Sequence, residues 1–355
     1  MKILIIQQKM IGDVLATSIL FEAIKQKYPS AKLHYVINSH TYPVVKENPF
    51  IDTFHFFTPK HEKSKLKLLK FANQLRKENF DVLIDVYSKI SSQIISMRSK
   101  ADIKISIDKG HNHFIFNNRV KYKSTAQTNA GLAIENRLQL LKPLNIEVSK
   151  IVRPKIYITD AEKVNAKLFL ESNSIDLNKP LYMLGVLGSG SNKTYPLELM
   201  AKVIDNIADT KPNSQIIFNY IPKQEDDARA LLKLCSVKTQ EHIYFNVFGE
   251  NLRDFLAMTT HCDALIGNEG GAINMAKALM IPTFTIFSPW IKKEAWNMFD
   301  EGNKHVSIHL KDYQSQHYAK TTHPKELKTK AFELYKKFSP SFFEQELKDF
   351  LKRLS

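Results

Sequence analysis

Three glycine-bearing junctions carry the residues of this sequence that are best suited to chemistry. The first follows the apolar run KILII, where Gly12 directly precedes Asp13. The second is GVLGSGSNKTYP, in which Lys193 follows a run of glycines and serines. The third is ALIGNEGGAINMAKAL, which places Glu269 directly before two glycines. Each junction joins a charged side chain to glycines that let a ligand approach the backbone, so each is a candidate binding or catalytic site.

The second junction suits an anionic ligand, although it matches neither of the common phosphate motifs. A Walker A loop needs glycine before its lysine, whereas Asn192 precedes Lys193. The GxGxxG pattern fails because Lys193 stands where the third glycine should be. What remains is a set of small backbone donors with one cation, namely Gly188, Ser189, Gly190, Ser191 and Lys193. The alternative is a flexible turn with a solvated lysine.

The two acids also have a purely structural interpretation. Asp13 could cap the first helix, and Glu269 could cap the helix predicted to begin near Gly271, because acids are favourable at helix N-termini. The functional interpretation of Glu269 is that its carboxylate accepts hydrogen bonds from ribose or sugar hydroxyls. Both interpretations stay open at this point.

Short apolar runs that alternate with helical patterns must position these junctions. Strands are predicted at KILII, KLHYVI, DVLIDVY and IKISI, and again at LYMLGVL, SQIIFNY, HIYFNV, DALIG and TFTIF. Such alternation indicates parallel α/β sheets. A length of 355 residues favours two domains. We expect them at 1–165 and 166–325, with 326–355 forming C-terminal helices that could return to the first domain.

Positive charge is concentrated in the first half of the chain. The net charge is +15, and residues 1–150 hold 24 basic and 12 acidic residues, whereas residues 151–355 hold 27 and 24. This asymmetry predicts an anionic partner for the first half, such as nucleic acid, a phosphorylated glycan or a membrane surface. The alternative is a basic surface that only confers solubility.

Residues 60–77 show the same charge bias on a helical pattern. They carry seven basic residues and one acid. The helix could lie on an anionic bilayer, or its apolar stripe could face the protein's own core. The stripe consists of Leu68, Phe71, Ala72 and Leu75.

Several classes of protein are disfavoured by what the sequence lacks. No apolar stretch approaches the roughly 20 residues of a membrane helix, and MKILII is too short for a signal peptide, so we expect a cytoplasmic protein. No helix-turn-helix, RNP or zinc signature supports nucleic-acid binding. Cys235 and Cys262 have no metal or CxxC spacing, which predicts two reduced structural thiols.

The three junctions together resemble one family. IGDVLATSILFEAIKQKYPSAKLHYV is similar to the opening of the ADP-heptose:lipopolysaccharide heptosyltransferases, glycosyltransferase family 9. GSGSNKTYPLE and IGNEGGAINMAKALMIPTFTIF resemble two further segments of that family, in the family's order. The resemblance implies a GT-B architecture, with two Rossmann-like domains facing each other across a cleft. The acceptor would bind the N-terminal domain and the nucleotide-sugar donor the C-terminal one.

The resemblance also implies roles for individual residues. Asp13 matches the family's general base, and Lys193 matches the lysine that contacts the donor phosphate; these two are the predicted catalytic residues. Gly12 and Lys9 are expected on the acceptor side. The donor-binding residues would be Gly188, Ser189, Gly190, Ser191, Glu225, Glu269, Gly270, Gly271 and Asn274.

The sequence departs from the family pattern near the expected donor sugar. Glu269 stands where the family usually has Asp, and Asn274 where it has His. Ser288 and Pro289 replace the family's Gly-Pro pair. These differences leave the identity of the transferred sugar open.

The expected function is inverting sugar transfer, with heptose moved from ADP-heptose to a lipopolysaccharide-core or related anionic glycolipid acceptor. No DxD motif is present, so no metal or other cofactor is expected; Lys193 and helix N-termini would stabilise the leaving diphosphate. The location would be cytoplasmic, with peripheral contact at the inner membrane face. The alternatives are a catalytically inactive nucleotide-sugar-binding protein and a nucleic-acid-binding protein.

Overall fold

Alternating apolar runs and helices build two parallel β-sheets, one in each of two units of the chain. The computed structural model describes residues 1–147, 152–319 and 323–354. The chain divides into the units Met1–Tyr157 and Ile158–Ser355. Each unit has a parallel sheet and its own apolar core. The predicted α/β class is therefore confirmed.

The first sheet has six strands within the described residues, in the order β3-β2-β1-β4-β5-β6, all parallel. Its central strand is fully buried from Ile3 to Ile6, as expected for a parallel strand covered on both faces. The chain order reverses between β1 and β4, which makes the gap between their carboxyl ends a topological switch point. The strands are β1 Lys2–Ile6, β2 Lys32–Asn38, β3 Thr53–Phe57, β4 Val82–Asp85, β5 Ile103–Ile107 and β6 Asn118–Val120.

Helices of the first unit connect these strands and cover the sheet. They are α1 Ile11–Thr17, α2 Ile19–Lys27, α3 Pro59–Lys63, α4 Lys65–Arg76, α5 Ile90–Arg98 and α6 Leu132–Gln139. The basic segment 60–77 forms α3 and α4, and the apolar stripe of α4 is buried in the core of the first sheet. The stripe therefore faces the protein's own core. The bilayer interpretation of this helix is wrong, because the apolar side chains that would enter the bilayer are packed in that core.

The second sheet has five parallel strands within the described residues, in the order β11-β10-β9-β7-β8. Its chain order reverses between β7 and β9, a second switch point. The predicted strand at HIYFNV is wrong, because only Ile243 bridges to Ile216 and no ladder follows. The strands are β7 Leu181–Gly185, β8 Gln215–Asn219, β9 Ala264–Asn268, β10 Thr283–Ile286 and β11 His305–Ile308.

The helices nearest the C-terminus belong to the second unit and pack in its core. Phe338, Phe343 and Phe350 are fully buried in the core of the second sheet, with Phe284 5.6 Å from Phe350 between ring centroids. The helices are α7 Asp160–Ser172, α8 Leu197–Thr210, α9 Glu225–Leu234, α10 Val237–Gln240, α11 Leu252–Thr259, α12 Gly271–Ala278, α13 Lys293–Trp296, α14 Leu310–Tyr313, α15 Pro324–Thr329, α16 Ala331–Lys336 and α17 Glu344–Arg353.

The unit boundary falls before α7 rather than at the expected 165/166. Arg253 on α11 donates to both carboxylate oxygens of Glu162, which fixes α7 to the second unit. The C-terminal helices predicted in 326–355 supply aromatic side chains to the core of the second sheet, rather than returning to the first domain. In the described part of the chain, no helix combines the length and apolarity that a membrane span requires. Both cysteines are free and buried.

Candidate active site

The three sequence junctions lie at the two switch points of the sheets. Asp13 follows β1, the glycine loop with Lys193 follows β7, and Glu269 follows β9. Open parallel sheets bind ligands at this edge because loops from diverging strands leave a crevice there. The topology therefore gives each predicted site residue a position from which it could meet a ligand.

Asp13 lies in the first turn of α1 but does not cap the helix. The N-cap residue is Met10, whose φ of 65° is unusual for a residue other than glycine. The described contacts include no side-chain capping bond at this end of α1. The structural interpretation of Asp13 as a helix cap is therefore wrong, because its carboxylate is engaged elsewhere.

The Asp13 carboxylate is held by an arginine of α6. Arg137 donates from Nη2 to Asp13 Oδ1 over 2.6 Å. Its other donors are anchored too, with Nε 3.0 Å from Thr17 Oγ1 and Nη1 2.8 Å from the Ala133 carbonyl oxygen. Arg137 is 11% exposed and Asp13 29% at the side chain, so a rigid buried cation holds a carboxylate that remains open to solvent.

Arg137 belongs to none of the sequence motifs that predict the site. The residue lies 124 positions from Asp13, within α6, to which the sequence motifs assign no role. The available signal was its spacing, because Arg137 follows Ile134 by three residues and therefore falls on the buried face of α6. A cation on a buried helix face needs a partner, and that requirement pointed to an acid in the first unit.

Lys9, expected on the acceptor side, is paired within the first unit. Its ammonium lies 2.9 Å from the carboxylate of Glu62 on α3, and this hydrogen bond raises the pKa of Lys9. Both side chains remain about one-third exposed. Gly12 is part of α1 and partly exposed beside Asp13. Lys9 and Gly12 thus flank the Asp13 carboxylate along the chain.

The loop after β7 is folded tightly on itself. A side chain at Gly188 would place Cβ 2.2 Å from the Lys193 carbonyl oxygen, so only glycine fits. The Gly188 amide donates to Thr194 Oγ1, and its carbonyl accepts from Gln224. The loop is therefore ordered by its own contacts, which disagrees with the interpretation as a flexible turn. Its exposed residues are Ser189, Gly190 and Ser191.

Lys193 and Glu269 meet in the second unit. The Lys193 ammonium lies 3.2 Å from Glu269 Oε1 and 5.8 Å from the ring centroid of Trp290. Glu269 is only 9% exposed at the side chain, whereas Lys193 is 30% exposed. A nearly buried carboxylate thus orients a cation that solvent and ligands can still reach.

Helix α12 begins without a side-chain cap, next to this ion pair. Its N-cap is Gly270 at φ 154°, a conformation that favours glycine, and the described contacts include no capping bond from Glu269. The interpretation of Glu269 as a helix cap is therefore wrong. Gly271 is exposed and Asn274 partly exposed in the first turn, so the amides and the positive end of this helix remain open to an anion.

Glu225 is placed less favourably for a ligand. It opens α9, and Arg229 donates to its Oε1 from two nitrogens over 3.0 and 2.7 Å. The neighbouring Gln224 binds the Gly188 carbonyl, which brings the start of α9 beside the glycine loop. The first turn of α9 holds three acids, so an acidic helix start adjoins the loop and would repel a phosphate there.

A metal site was not expected, and no metal-ligand cluster is evident. Among the residues that the structure describes, no group of three or more His, Cys, Asp or Glu side chains is arranged to hold a metal ion. The positive groups at the carboxyl ends of β7 and β9 are the Lys193 ammonium and the N-terminus of α12. Independence from metals remains a prediction.

Comparison with known proteins agrees with this fold. The crystal structure of the glycosyl transferase family 9 protein from Veillonella parvula superposes with a TM-score of 0.74, at 15% identity, covering 95% of this chain and 97% of that one. Escherichia coli ADP-heptose LPS heptosyltransferase II gives a TM-score of 0.70 at 15% identity, with 95% and 99% covered. The fold is therefore the GT-B fold, as expected from the sequence.

The sequence relation narrows the class to one family. Lipopolysaccharide heptosyltransferase 1 of Campylobacter coli is 24% identical over 297 residues, covering 81% of this chain and 84% of that protein. The model of glycosyltransferase family 9 (heptosyltransferase) matches residues 68–326. The chain belongs to glycosyltransferase family 9 and is a glycosyltransferase, which confirms the resemblance noted in the sequence.

Proposed function

We propose that this protein transfers heptose, with inversion and without a metal, from ADP-heptose to a lipopolysaccharide-core or related anionic glycolipid acceptor. The observation that carries the proposal is the Asp13 carboxylate, which Arg137 holds by one oxygen beside the switch point of the first sheet. The similar proteins named as heptosyltransferases for lipopolysaccharide, one of them for ADP-heptose, support the substrates.

Asp13 would act as the general base. The acceptor hydroxyl oxygen attacks the anomeric carbon of the donor sugar while its proton moves to Oδ2 of Asp13. The described contacts leave Oδ2 without a hydrogen bond, whereas Oδ1 stays bound to Arg137. As the new carbon–oxygen bond forms, the bond from the anomeric carbon to the diphosphate breaks, and its electron pair leaves with ADP. The configuration inverts because attack and departure take place on opposite faces.

The second unit would stabilise the leaving diphosphate. Negative charge develops on the phosphate oxygens as the sugar departs, and a prearranged cation lowers the free energy of that state. Lys193 is oriented by Glu269 at 3.2 Å, and the open N-terminus of α12 adds the partial positive charge of its amides. These groups supply the role that a divalent cation has in other glycosyltransferases. Ser189, Ser191 and Asn274 would complete the polar contacts with the donor.

The acceptor would explain the charge of the first unit. An acceptor that bears phosphate or carboxylate groups is attracted by the excess of basic over acidic residues in positions 1–150. A lipid-anchored acceptor would also place the enzyme at the cytoplasmic face of the inner membrane, as a peripheral protein.

A transfer assay with Asp13→Asn tests the proposal. With ADP-heptose and a soluble deacylated lipopolysaccharide-core acceptor, we expect kcat to fall by about 10²–10⁴-fold, the usual contribution of a general base. The Kd for ADP, measured by calorimetry, should stay within about twofold of the wild-type value, because a local change in the first unit leaves the donor contacts intact. Asp102→Asn, an exposed acid of the same unit, is the matched control and should retain full activity.

Three outcomes would contradict parts of the proposal. Unchanged kcat in Asp13→Asn would remove the general-base role. ADP binding by the wild type without transfer to any acceptor tested would favour the inactive binding protein. Activity lost with EDTA and restored by Mg²⁺ would disprove the metal-independent mechanism.

A further inference from the structure

A tryptophan in the loop after β10 contacts the lysine of the proposed donor site. Trp290 donates from Nε1 to the Asn192 carbonyl oxygen over 2.7 Å, and the Ser288 hydroxyl donates to the same oxygen over 2.8 Å. Asn192 directly precedes Lys193, whose ammonium lies 5.8 Å from the ring centroid of Trp290. Ser288 and Trp290 thus fix the backbone that carries Lys193, and the indole ring attracts its ammonium.

The loop that carries Trp290 is itself anchored. The buried Tyr318 donates from its hydroxyl to the Pro289 carbonyl oxygen over 2.8 Å. Ser288 stands where the family usually has glycine, which has no hydroxyl to donate. Trp290 packs against the core of the second sheet and remains partly exposed. The ring is therefore held at the surface, where a ligand can reach the cations beside it.

A second lysine reaches the same ring. The Lys328 ammonium lies 5.3 Å from the ring centroid of Trp290. Lys328 is on α15, next to Leu327, which is buried in the core of the second sheet. The Lys328 side chain is exposed, and it forms no ion pair within the described part of the chain. One aromatic ring therefore contacts two ammonium groups from distant parts of the second unit.

The charges of these residues favour an anionic ligand. Lys193 is paired with the Glu269 carboxylate at 3.2 Å, so their two charges largely cancel. Lys328 has no such partner and gives the three residues together a net positive charge. Two ammonium groups beside one ring also repel each other, and an anion that contacts both relieves this repulsion. A diphosphate has oxygens on two phosphorus atoms and can accept hydrogen bonds from two separate cations.

We propose that Lys328 is a second phosphate-binding residue of the donor site, and that Trp290 is a positioning residue for Lys193 and Lys328. The inference rests on the proposed function and deepens it, because it names a cation that offsets the charge of the leaving diphosphate while Glu269 neutralises Lys193. Since Lys328 would contact phosphate rather than the base, its loss should weaken ligands that have a diphosphate and spare those that lack one.

Calorimetric titration with pyrophosphate, ADP and adenosine tests the assignment. Lys328→Gln should raise the Kd of pyrophosphate and of ADP by about five- to tenfold, because a charged hydrogen bond at an exposed site is lost. Adenosine, which has no phosphate, should bind the variant and the wild type equally. Lys328→Arg keeps the charge and should stay within about threefold of wild type. Lys325→Gln changes another exposed lysine of α15 and is the matched control, with Kd within about twofold of wild type.

A double-variant cycle tests the positioning role of Trp290. Trp290→Leu removes the ring and its N–H and should raise the Kd of pyrophosphate by about fivefold or more. In that background Lys328→Gln should add less than about twofold, because the ring no longer holds Lys328 beside the phosphate. Trp290→Phe keeps an aromatic ring and guards against a folding defect, and in this variant Lys328→Gln should again raise the Kd several-fold.

The inference is overturned if Lys328→Gln binds pyrophosphate as wild type does, if its adenosine binding weakens as much as its pyrophosphate binding, or if the effects of Trp290→Leu and Lys328→Gln are additive. The donor site then still stands as long as Lys193→Gln weakens pyrophosphate binding. A wild-type protein that binds neither pyrophosphate nor ADP would overturn the proposed function as well, so the two failures are distinguishable.

Discussion

At the scale of single residues, the Asp13–Arg137 pair sets the orientation of the proposed general base in the first unit. Arg137 donates one hydrogen bond to Asp13 and two to fixed groups around it, the Thr17 hydroxyl and the Ala133 carbonyl oxygen. The guanidinium is therefore held in place, and it holds the Asp13 carboxylate in turn. The buried face around the pair also holds Tyr35, whose pKa burial raises strongly. We therefore regard Arg137 as a positioning residue that fixes the direction in which Oδ2 points.

Arg137→Lys tests this role. A lysine has a single terminal nitrogen and cannot replace three fixed bonds, so the Asp13 carboxylate should lose its orientation. We expect kcat to fall by up to about 100-fold, as for a small displacement of a reacting group, with the donor KM little changed. The measurement is steady-state kinetics with donor and acceptor varied separately, which distinguishes a fall in kcat from a rise in either KM.

The control for this substitution is Arg98→Lys, since Arg98 makes one exposed hydrogen bond, 3.2 Å to Asn73 Oδ1. It should keep the wild-type kcat and KM values. A larger rise in KM than fall in kcat for Arg137→Lys would instead assign the residue to substrate binding.

The sequence was sufficient to place the charged residues but not to pair them. Asp13, Lys193 and Glu269 each follow a strand at a switch point, a local pattern that a sequence displays. Their partners depend on folding over long distances. Arg137 meets Asp13 across 124 positions. The helix caps that were the alternative interpretation of both acids are absent from the described contacts, because those acids face a cation instead.

At the scale of elements, the β4–α5 junction carries a buried acid. Asp85 is fully buried and accepts from the Ser88 amide over 2.7 Å and from the Ser96 hydroxyl over 3.4 Å. Burial raises the pKa of Asp85 from its usual 3.8 to about 6, despite these hydrogen bonds. The folded state thus binds this proton more tightly than the unfolded state does. The stability of the fold should fall as the pH rises from about 4 to about 6.

Asp85→Asn tests the cost of that charge. The amide oxygen can still accept from Ser88, and no charge needs to be buried above the folded pKa. A shift of about two units corresponds to about 3 kcal/mol at most. We expect the variant to gain about 1–3 kcal/mol over wild type near pH 8 and almost nothing near pH 4, by urea unfolding of both proteins at each pH.

Asp102→Asn is the control, because that side chain is exposed and should change stability by less than about 0.5 kcal/mol at either pH. An Asp85→Asn protein that is less stable than wild type near pH 8 would show that the hydrogen bonds of the carboxylate outweigh its burial.

Helices and strands were predicted correctly where the hydrophobic pattern of the sequence was compatible with only one type of element. The alternation of strands and helices predicted four strands of each parallel sheet, but it did not predict β3, β6 and β11, which lie at the sheet edges. HIYFNV has strand composition but contributes aromatic packing, with Phe245 stacked on Tyr220 at 5.4 Å. The basic helix α4 was ambiguous for a physical reason, since a stripe of apolar residues is identical whether it meets a bilayer or a core. Only the packing of Phe71 and Leu75 decides between them.

At the scale of the whole molecule, two separate cores imply that a ligand of one unit stabilises that unit first. The core of the second sheet gathers side chains from α8, α9 and the C-terminal helices, and the core of the first sheet gathers its own. Lys193, Glu269 and the start of α12 all belong to Ile158–Ser355. Binding lowers the free energy of the folded state that holds the ligand, by about 2.7 kcal/mol at a hundredfold excess over Kd.

Hydrogen exchange with nucleotides tests this division and the donor together. ADP should slow amide exchange in the loop 188–194, at the start of α12 and in the helices that surround them, while amides of β1 to β6 keep their rates. UDP and GDP at the same concentration should protect less if the donor carries adenine. Lys193→Ala serves as the comparison protein, and ADP should protect its loop far less, since the cation that we propose contacts the diphosphate is missing. Equal protection of both units by ADP would contradict the assignment of the donor to the second unit, because a ligand stabilises the part of the protein to which it binds. Stronger protection by UDP than by ADP would contradict the assignment of the donor to adenine nucleotides.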